Sequence, residues 1–320
     1  MSQSNVPDFL TPIPKTTRSI TLPSRGVLYT KGPAAGGKLT LSAMTLVEEN
    51  LLSTPRTLSG DDGVTAAIKK CIVENIDVNH LLVADKFFIF LMLRAITYGS
   101  EYAFNWTCPA VYRSGARRGN VCGASNRTSV NIPDQFQIKQ LADEDTEPFM
   151  IVLPESGKEI GFRLPRVYDE KASDKFLAER EESENIRSTM TVEAFQLARF
   201  ILSVDSNSTD GVEAKSLQTW LLSLPAKDIA FYRDRLEYFT PGIDTSVSLK
   251  CMSCGTVHKM DLPLTSEFFR PKFTIDSRPM EDEVRPDAPS GDSVQSAPPD
   301  PARGTPLVLR EIEGARDQRS

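Results

Sequence analysis

The stretch that decides the fold is Leu82–Pro109, LVADKFFIFLMLRAITYGSEYAFNWTCP. Its first half is apolar on nearly every side of a helix, and Gly99 is expected to end that helix. Beyond Gly99 the pattern changes to a period of two, in which Tyr102, Phe104 and Trp106 face one way. The stretch therefore predicts a central core helix that is followed directly by a strand.

The residues before this stretch are predicted to be mostly helical, over 42–99. Ser42 is expected to cap a first helix that runs to about residue 53, and Asp62 lies at the start of a second. The second helix carries apolar residues at positions 0, 3, 4, 7 and 8, which place Cys71 on a buried stripe. Residues 17–41 alternate weakly between turn sequences and are interpreted as short strands.

The residues after it combine strands and helices. A strand is expected at 128–132, a β-hairpin at 148–164, and strands at 245–250 and 256–262. Helical patterns cover 167–183, 191–204, 213–223 and 225–239, and Pro225 suits the first turn of the last helix. The predicted class is α+β, a mainly helical body with short β-hairpins.

Both ends differ from this body in composition. Residues 1–16 contain three prolines and are expected to form a flexible arm. Residues 276–320 contain seven prolines, 16 charged residues and no aromatic residue, so they are expected to form a tail that is disordered or that orders on a partner. The folded body is assigned to 17–275, with the segment 134–244 inserted into it.

Composition and motifs argue against several classes of protein. The net charge is -6 and the chain has two histidines, which disfavours a nucleic-acid binder and a histidine-rich catalytic metal site. The sequence contains none of the common nucleophile, phosphate-binding or metalloprotease motifs, so no enzyme activity is expected. The longest apolar run has seven residues, Phe87–Leu93, too few to cross a membrane, and no signal peptide is evident.

Four of the five cysteines form two groups, each after a predicted strand. Cys108 and Cys122 enclose 13 residues, whereas Cys251 and Cys254 form a CxxC; each group ends in a Cys-Gly pair. Thiolates at such turns can hold Zn²⁺ in a tetrahedron, and four thiolates leave no open position for a water. The sequence therefore predicts a structural zinc ribbon, split between 100–133 and 245–262.

Other arrangements of these cysteines stay open at this stage. They are a site that combines the CxxC with an earlier thiol and His258, disulfides formed outside the cell, and unpaired thiols. Arg113, Arg117 and Arg118 lie between the first two cysteines and allow a zinc-ribbon nucleic-acid binder as an alternative function. A solvated loop or contacts to an acidic protein explain these arginines better.

The order of several motifs resembles the baseplate protein family of T-even-like, contractile-tailed bacteriophages. The motifs are ITLPSRGVLY at Ile20–Tyr29, the stretch Leu82–Pro109, the segment Leu222–Gly255 that ends in CMSCG, and MDLPLTSEFFRP at Met260–Pro271. Relatives tend to carry a compact CPxCG at the first cysteine pair, whereas this chain has an insert there.

The resemblance implies a structural protein of the virion tail baseplate, of hub or wedge type, assembled in the host cytoplasm. It implies partners among other baseplate and tail proteins in a symmetric assembly, with no catalytic residues and no membrane partner. A hub assembly factor that is absent from the mature virion is the alternative. On either interpretation, the arm and the tail are expected to reach onto neighbouring subunits.

Overall fold

The computed structural model of the protein describes residues 13–53, 62–113, 118–182, 192–264 and 268–269. All of them belong to one unit, Met1–Lys272. Most of the predicted arm and the whole predicted tail lie outside these residues. Both helices and antiparallel strand pairs are present, so the α+β class is confirmed. No helix among the described residues is long and apolar enough to span a membrane.

The helices and strands follow one another in this order: β1 Thr17–Thr21, β2 Lys38–Ser42, α1 Leu46–Leu52, α2 Gly63–Cys71, α3 Val83–Tyr98, β3 Glu101–Thr107, β4 Ser125–Asn131, β5 Gln137–Lys139, β6 Phe149–Val152, β7 Glu159–Phe162, α4 Val167–Glu182, α5 Val192–Phe200, β8 Ile201–Val204, β9 Asn207–Ser208, α6 Ala214–Ser223, α7 Ala226–Phe239, β10 Gly242–Asp244, β11 Ser246–Lys250 and β12 Val257–Asp261. All strand pairs are antiparallel: β1–β2, β3–β4, β5–β10, β11–β12 and the four-stranded order β6–β7–β8–β9.

Helix α3 lies at the centre of the core, as its sequence predicts. Ile89 and Leu91 are fully buried, and the helix contacts α2, β1, β2 and β10. It leads into β3, whose alternate residues Tyr102, Phe104 and Trp106 are all buried. The predicted helix-to-strand transition is therefore confirmed, and it places the end of β3 at the first cysteine pair.

Four local predictions need correction. Ser42 caps no helix; it is the last residue of β2, paired with Thr17, and α1 begins only at Leu46. Residues 201–204 form strand β8, which pairs antiparallel with β7, and do not continue α5. The strand predicted at 128–132 is β4 and begins three residues earlier, because its pairing with β3 continues as far as Ser125. Pro225 is the N-cap of α7 and lies just before its first turn.

The carboxylate of Glu48 caps the N-terminus of helix α1. Glu48 Oε2 accepts the Thr45 backbone N–H at 2.8 Å and lies 3.1 Å from Lys15 Nζ. Burial opposes ionisation of this carboxyl, but these hydrogen bonds and the ion pair lower the pKa of Glu48 to about 2. The start of α1 is therefore tied to the segment that precedes β1.

The turn after β1 is joined to α3 through a buried polar network. Asp85 is fully buried; its Oδ1 accepts the Ser24 backbone N–H at 3.0 Å and its Oδ2 accepts the Tyr29 hydroxyl at 2.5 Å. The Tyr29 hydroxyl in turn accepts the Leu82 backbone N–H at 2.9 Å. Desolvation by burial raises the pKa values of both Asp85 and Tyr29. This network connects two segments that carry the family resemblance, ITLPSRGVLY and the start of Leu82–Pro109.

Gly26 allows a very close backbone approach within the same turn. Its φ is +80°, and a Cβ at this position would lie 2.5 Å from the Gly37 nitrogen and 2.6 Å from the Ala34 oxygen. Only glycine has neither the Cβ nor the steric cost of that backbone region. The turn can therefore pack directly on the chain before β2.

Candidate metal centre

Two β-hairpins bring the four predicted cysteines together. Cys108 follows β3 and Cys122 precedes β4, while Cys251 follows β11 and Cys254 precedes β12. All four Sγ atoms lie within 4.8 Å of one another, although Cys122 and Cys251 are 129 positions apart in the chain. The structure therefore assembles one cluster from the two groups that the sequence separates.

The spacing of the sulfurs fits a tetrahedral metal. Cys108 and Cys254 are 3.6 Å apart, and Cys122 and Cys251 are 3.9 Å apart. A tetrahedron with Zn–S bonds of about 2.3 Å has edges of about 3.8 Å. All four cysteines are free thiols, and Cys108 and Cys251 are buried while the other two are half-buried. The fifth cysteine, Cys71, is buried on α2 as predicted.

The two cysteine turns have the same backbone hydrogen bonds. The Cys108 N–H donates to the Ala124 carbonyl and the Cys251 N–H to the Thr256 carbonyl, both at 2.9 Å. Each glycine after the second cysteine donates back to the carbonyl of the first cysteine, at 3.1 Å for Gly123 and 2.9 Å for Gly255. Both glycines have positive φ, +62° and +74°. The 13-residue separation in the first turn therefore leaves its geometry unchanged.

The insert of the first turn leaves and rejoins the chain through a small hairpin of its own. Cys122 N–H donates to the Ala110 carbonyl at 2.7 Å, and Val111 and Val121 form an antiparallel bridge. Tyr112 N–H donates to the Asn120 carbonyl at 3.0 Å. The insert thus closes at its base, which explains why it does not displace either cysteine.

A polar side chain contacts each of the four sulfurs. Their contacts, with the distances to Sγ, are His258 Nε2 to Cys108 at 3.3 Å, Tyr112 hydroxyl to Cys122 at 3.6 Å, Asn126 Nδ2 to Cys251 at 3.6 Å and Thr256 Oγ1 to Cys254 at 3.3 Å. Asn126 also joins the two turns, because its Oδ1 accepts the Met252 N–H at 3.0 Å. Second-layer contacts of this kind orient thiolate ligands and tune their charge.

These contact residues were mostly missed by the sequence reasoning. The sequence allows His258 as an alternative ligand; in the structure it lies beside Cys108, and its ring meets the Trp106 ring edge-on with the ring centroids 5.8 Å apart. Tyr112 and Asn126 carry no pattern of their own, since they are ordinary residues in a loop and a strand. Their contacts with the cysteine sulfurs form only in the folded protein.

Two of the thiols have pKa values that are shifted in opposite directions. Backbone N–H groups, that of Cys254 first, lower the pKa of Cys251 to about 6, whereas burial raises the pKa of Cys108 to about 12. Four thiolates at this spacing repel one another strongly. A divalent cation supplies the charge that would keep all four ionised, and the all-sulfur donor set suits zinc.

The chain is similar to a known protein family. A family model described as T4 bacteriophage base plate protein matches residues 14–270. No curated protein and no solved structure matches the chain.

Proposed function

The chain belongs to the T4 bacteriophage base plate protein family, and from that premise we propose that it connects neighbouring subunits of a contractile-tail baseplate. Family membership over most of the chain is the observation that carries this proposal. The protein would act as a non-enzymatic structural component, of hub or wedge type, in a symmetric assembly with other baseplate and tail proteins. It would reach the virion after assembly in the host cytoplasm.

We further propose that one zinc ion, bound by Cys108, Cys122, Cys251 and Cys254, staples the body of the protein. The sulfur spacing and the paired turns support this proposal. The ion would join the β3–β4 hairpin to the β11–β12 hairpin and so close the chain around the segment between them. With four thiolates its role would be structural, because no coordination position remains for a water or a substrate.

The zinc proposal is tested by elemental analysis of the purified protein. We expect one zinc per chain, and we expect Cys251→Ser to lose the metal and to unfold at a lower denaturant concentration. Cys71→Ser is the matched control, since this buried cysteine lies outside the cluster. Absence of zinc, with all thiols freely reactive, would refute the site, and loss of the thiols without zinc would indicate disulfides.

Residues 1–16 and 276–320 are proposed to contact neighbouring subunits. An extended segment buries a large area per residue when it orders on a partner. Chains that lack residues 1–12 or 276–320 are expected to be incorporated into tails less efficiently than the full chain. Full incorporation of both truncated chains would contradict this part of the proposal.

The baseplate role itself is tested by mass spectrometry of purified tails. We expect the chain in mature tails in a fixed ratio to other baseplate proteins. Its presence in assembling cells but not in mature tails would indicate a hub assembly factor instead. Complete absence from both tails and tail precursors would refute the proposal.

A further inference from the structure

The end of the protein that carries the cysteines is its basic part. Residues 102–133 contain four arginines and no Asp or Glu, and residues 245–260 contain two lysines and no Asp or Glu. The whole chain, in contrast, has a net charge of -6. Among the described residues of the β3–β4 and β11–β12 hairpins and their loops, five basic side chains outnumber two acidic ones, Glu101 and Asp261. These hairpins therefore carry a net positive charge in an acidic protein.

Apolar side chains lie exposed among these charges. On the β11–β12 hairpin, Val257 is 61% exposed and pairs directly with Lys250. Lys259 lies two residues further along β12, on the same side of the strand. Met252, at the tip of the turn between these strands, is 87% exposed. The outer side of this hairpin thus places two lysines beside Val257 and Met252 near the turn, and Asp261 lies on the same side at the far end of β12.

The insert between Cys108 and Cys122 adds to the same pattern. Its bridged valines, Val111 and Val121, are 52% and 59% exposed, and Arg113 follows Val111 by two residues. The CxxC turn forms the same backbone hydrogen bonds with only two residues between its cysteines. The insert is therefore not needed to place the cysteines, and its exposed apolar residues require another explanation.

An open cleft separates the insert from the second hairpin. Its volume is about 790 Å³. Val111, Tyr112 and Arg113 line it from the insert, Thr256 and His258 line it from the second hairpin, and Cys122 and Cys254 of the cluster also line it. This volume is large enough for several side chains of an extended polypeptide.

We propose that this surface, which we call the ribbon face, docks an acidic protein segment that also carries apolar side chains. The ribbon face comprises Val111, Arg113, Arg118, Val121, Lys250, Met252, Val257 and Lys259. Charge complementarity selects an acidic partner. The exposed valines and methionine favour a protein over a nucleic acid, because phosphate contacts need only the cations and would leave the apolar groups in water. The inference rests on the proposed baseplate role and names the chemistry of one partner contact.

The test uses a photo-crosslinker on the full-length chain. p-Benzoylphenylalanine replaces Val257, tails are assembled in infected cells, and the adduct is mapped by mass spectrometry in lysate and in purified tails. We expect an adduct to a protein segment in which Asp and Glu outnumber Lys and Arg. Adding Arg113→Glu with Lys259→Glu should lower the yield about tenfold, since two exposed attractive contacts become repulsive. The matched control adds Lys69→Glu with Lys70→Glu, two exposed lysines on α2, and should leave the yield unchanged.

Each outcome separates this inference from the baseplate role. An adduct to nucleic acid or to a neutral or basic segment, no adduct, or equal yields for the two double variants would overturn the docking proposal. Zinc content and thermal unfolding of each variant establish that a lost adduct does not reflect misfolding. If the acidic adduct forms in lysate while the chain is absent from tails, the baseplate role fails and the docking surface stands. If the chain is present in tails but forms no adduct, the docking proposal fails and the baseplate role stands.

Discussion

Deleting residues 111–121 should leave the metal centre intact. The deletion turns the first cysteine turn into Cys108-Pro109-Ala110-Cys122-Gly123, which has the two-residue spacing of the second turn. The hydrogen bonds that shape the first turn run between residue 108 and residues 123 and 124, so none of them passes through the deleted segment. We expect the shortened protein to bind one zinc per chain.

The expected change in stability is small because two effects nearly cancel. Shortening the closed loop from 13 residues to two lowers the entropic cost of closure by about 1.7 kcal/mol, from a dependence of (3/2)RT ln n. The deletion also removes the bond from Cys122 N–H to the Ala110 carbonyl and the contact between the Tyr112 hydroxyl and Cys122 Sγ. Each is worth about 1 kcal/mol. The free energy of unfolding should therefore change by less than about 1 kcal/mol.

Zinc analysis and urea unfolding of the shortened and full-length chains measure this prediction side by side. If the shortened protein loses its zinc, or is less stable by more than about 3 kcal/mol, the insert contributes to the metal centre and the reasoning fails. Retained zinc and stability, together with loss of the crosslink from Val257, would assign the insert to partner binding.

Substitutions near the N-terminal turn and α1 test the packing of the body. Gly26→Ala should lower the free energy of unfolding in urea by at least about 3 kcal/mol. Its control is Gly157→Ala, which also has positive φ but has no atom within 4 Å of its Cβ, and which should lower the free energy by about 1 kcal/mol. Equal losses of stability in the two variants would show that the close backbone approach is unimportant. Tyr29→Phe should lower the free energy of unfolding by about 2–4 kcal/mol, because it removes two buried hydrogen bonds. Its control is Tyr238→Phe at an exposed position, which should change the free energy by less than about 0.5 kcal/mol. Because the pKa of Glu48 is low in the folded protein, its ionised carboxylate stabilises the fold above pH 4.5, and this stabilisation is lost as the pH falls from 4.5 through about 2. Over that range the free energy of unfolding of the wild type should fall by about 2 kcal/mol more than that of Glu48→Gln. Parallel curves of unfolding free energy against pH would contradict this.

The accuracy of the sequence predictions depended on whether a pattern was local. The period of α3, the alternation of β3 and the buried stripe of α2 were predicted correctly, because each follows from neighbouring residues in one segment. Residues 201–204 were predicted as helix because their apolar spacing continues that of α5. They form a strand because β7 offers them backbone partners. The sequence held one sign of this, since Asp205 and Ser206 take positive φ in the tight turn to β9 and short polar residues of this kind favour such turns.

At the candidate site, too, local patterns were predictable and long-range contacts were not. The residue types and the Cys-Gly pairs predict a metal site at the four cysteines without a structure, beside the alternatives of disulfides and unpaired thiols. The role of Asp85 was not predicted beyond the start of a helix, because its partners Ser24 and Tyr29 lie more than 50 positions earlier in the chain. The contacts of His258, Tyr112 and Asn126 with the sulfurs were hidden for the same reason.

By itself, the sequence determined the α+β class, the central helix with its following strand, and the four cysteines. These properties depend on periodicity and on side-chain chemistry, which residues close in the chain express together. Only the tertiary structure decided that two cysteine pairs 129 positions apart meet within 4.8 Å, and that cations and exposed valines share the ribbon face. Such contacts depend on how the whole chain packs, because burial and backbone pairing bring together segments that are far apart in the sequence.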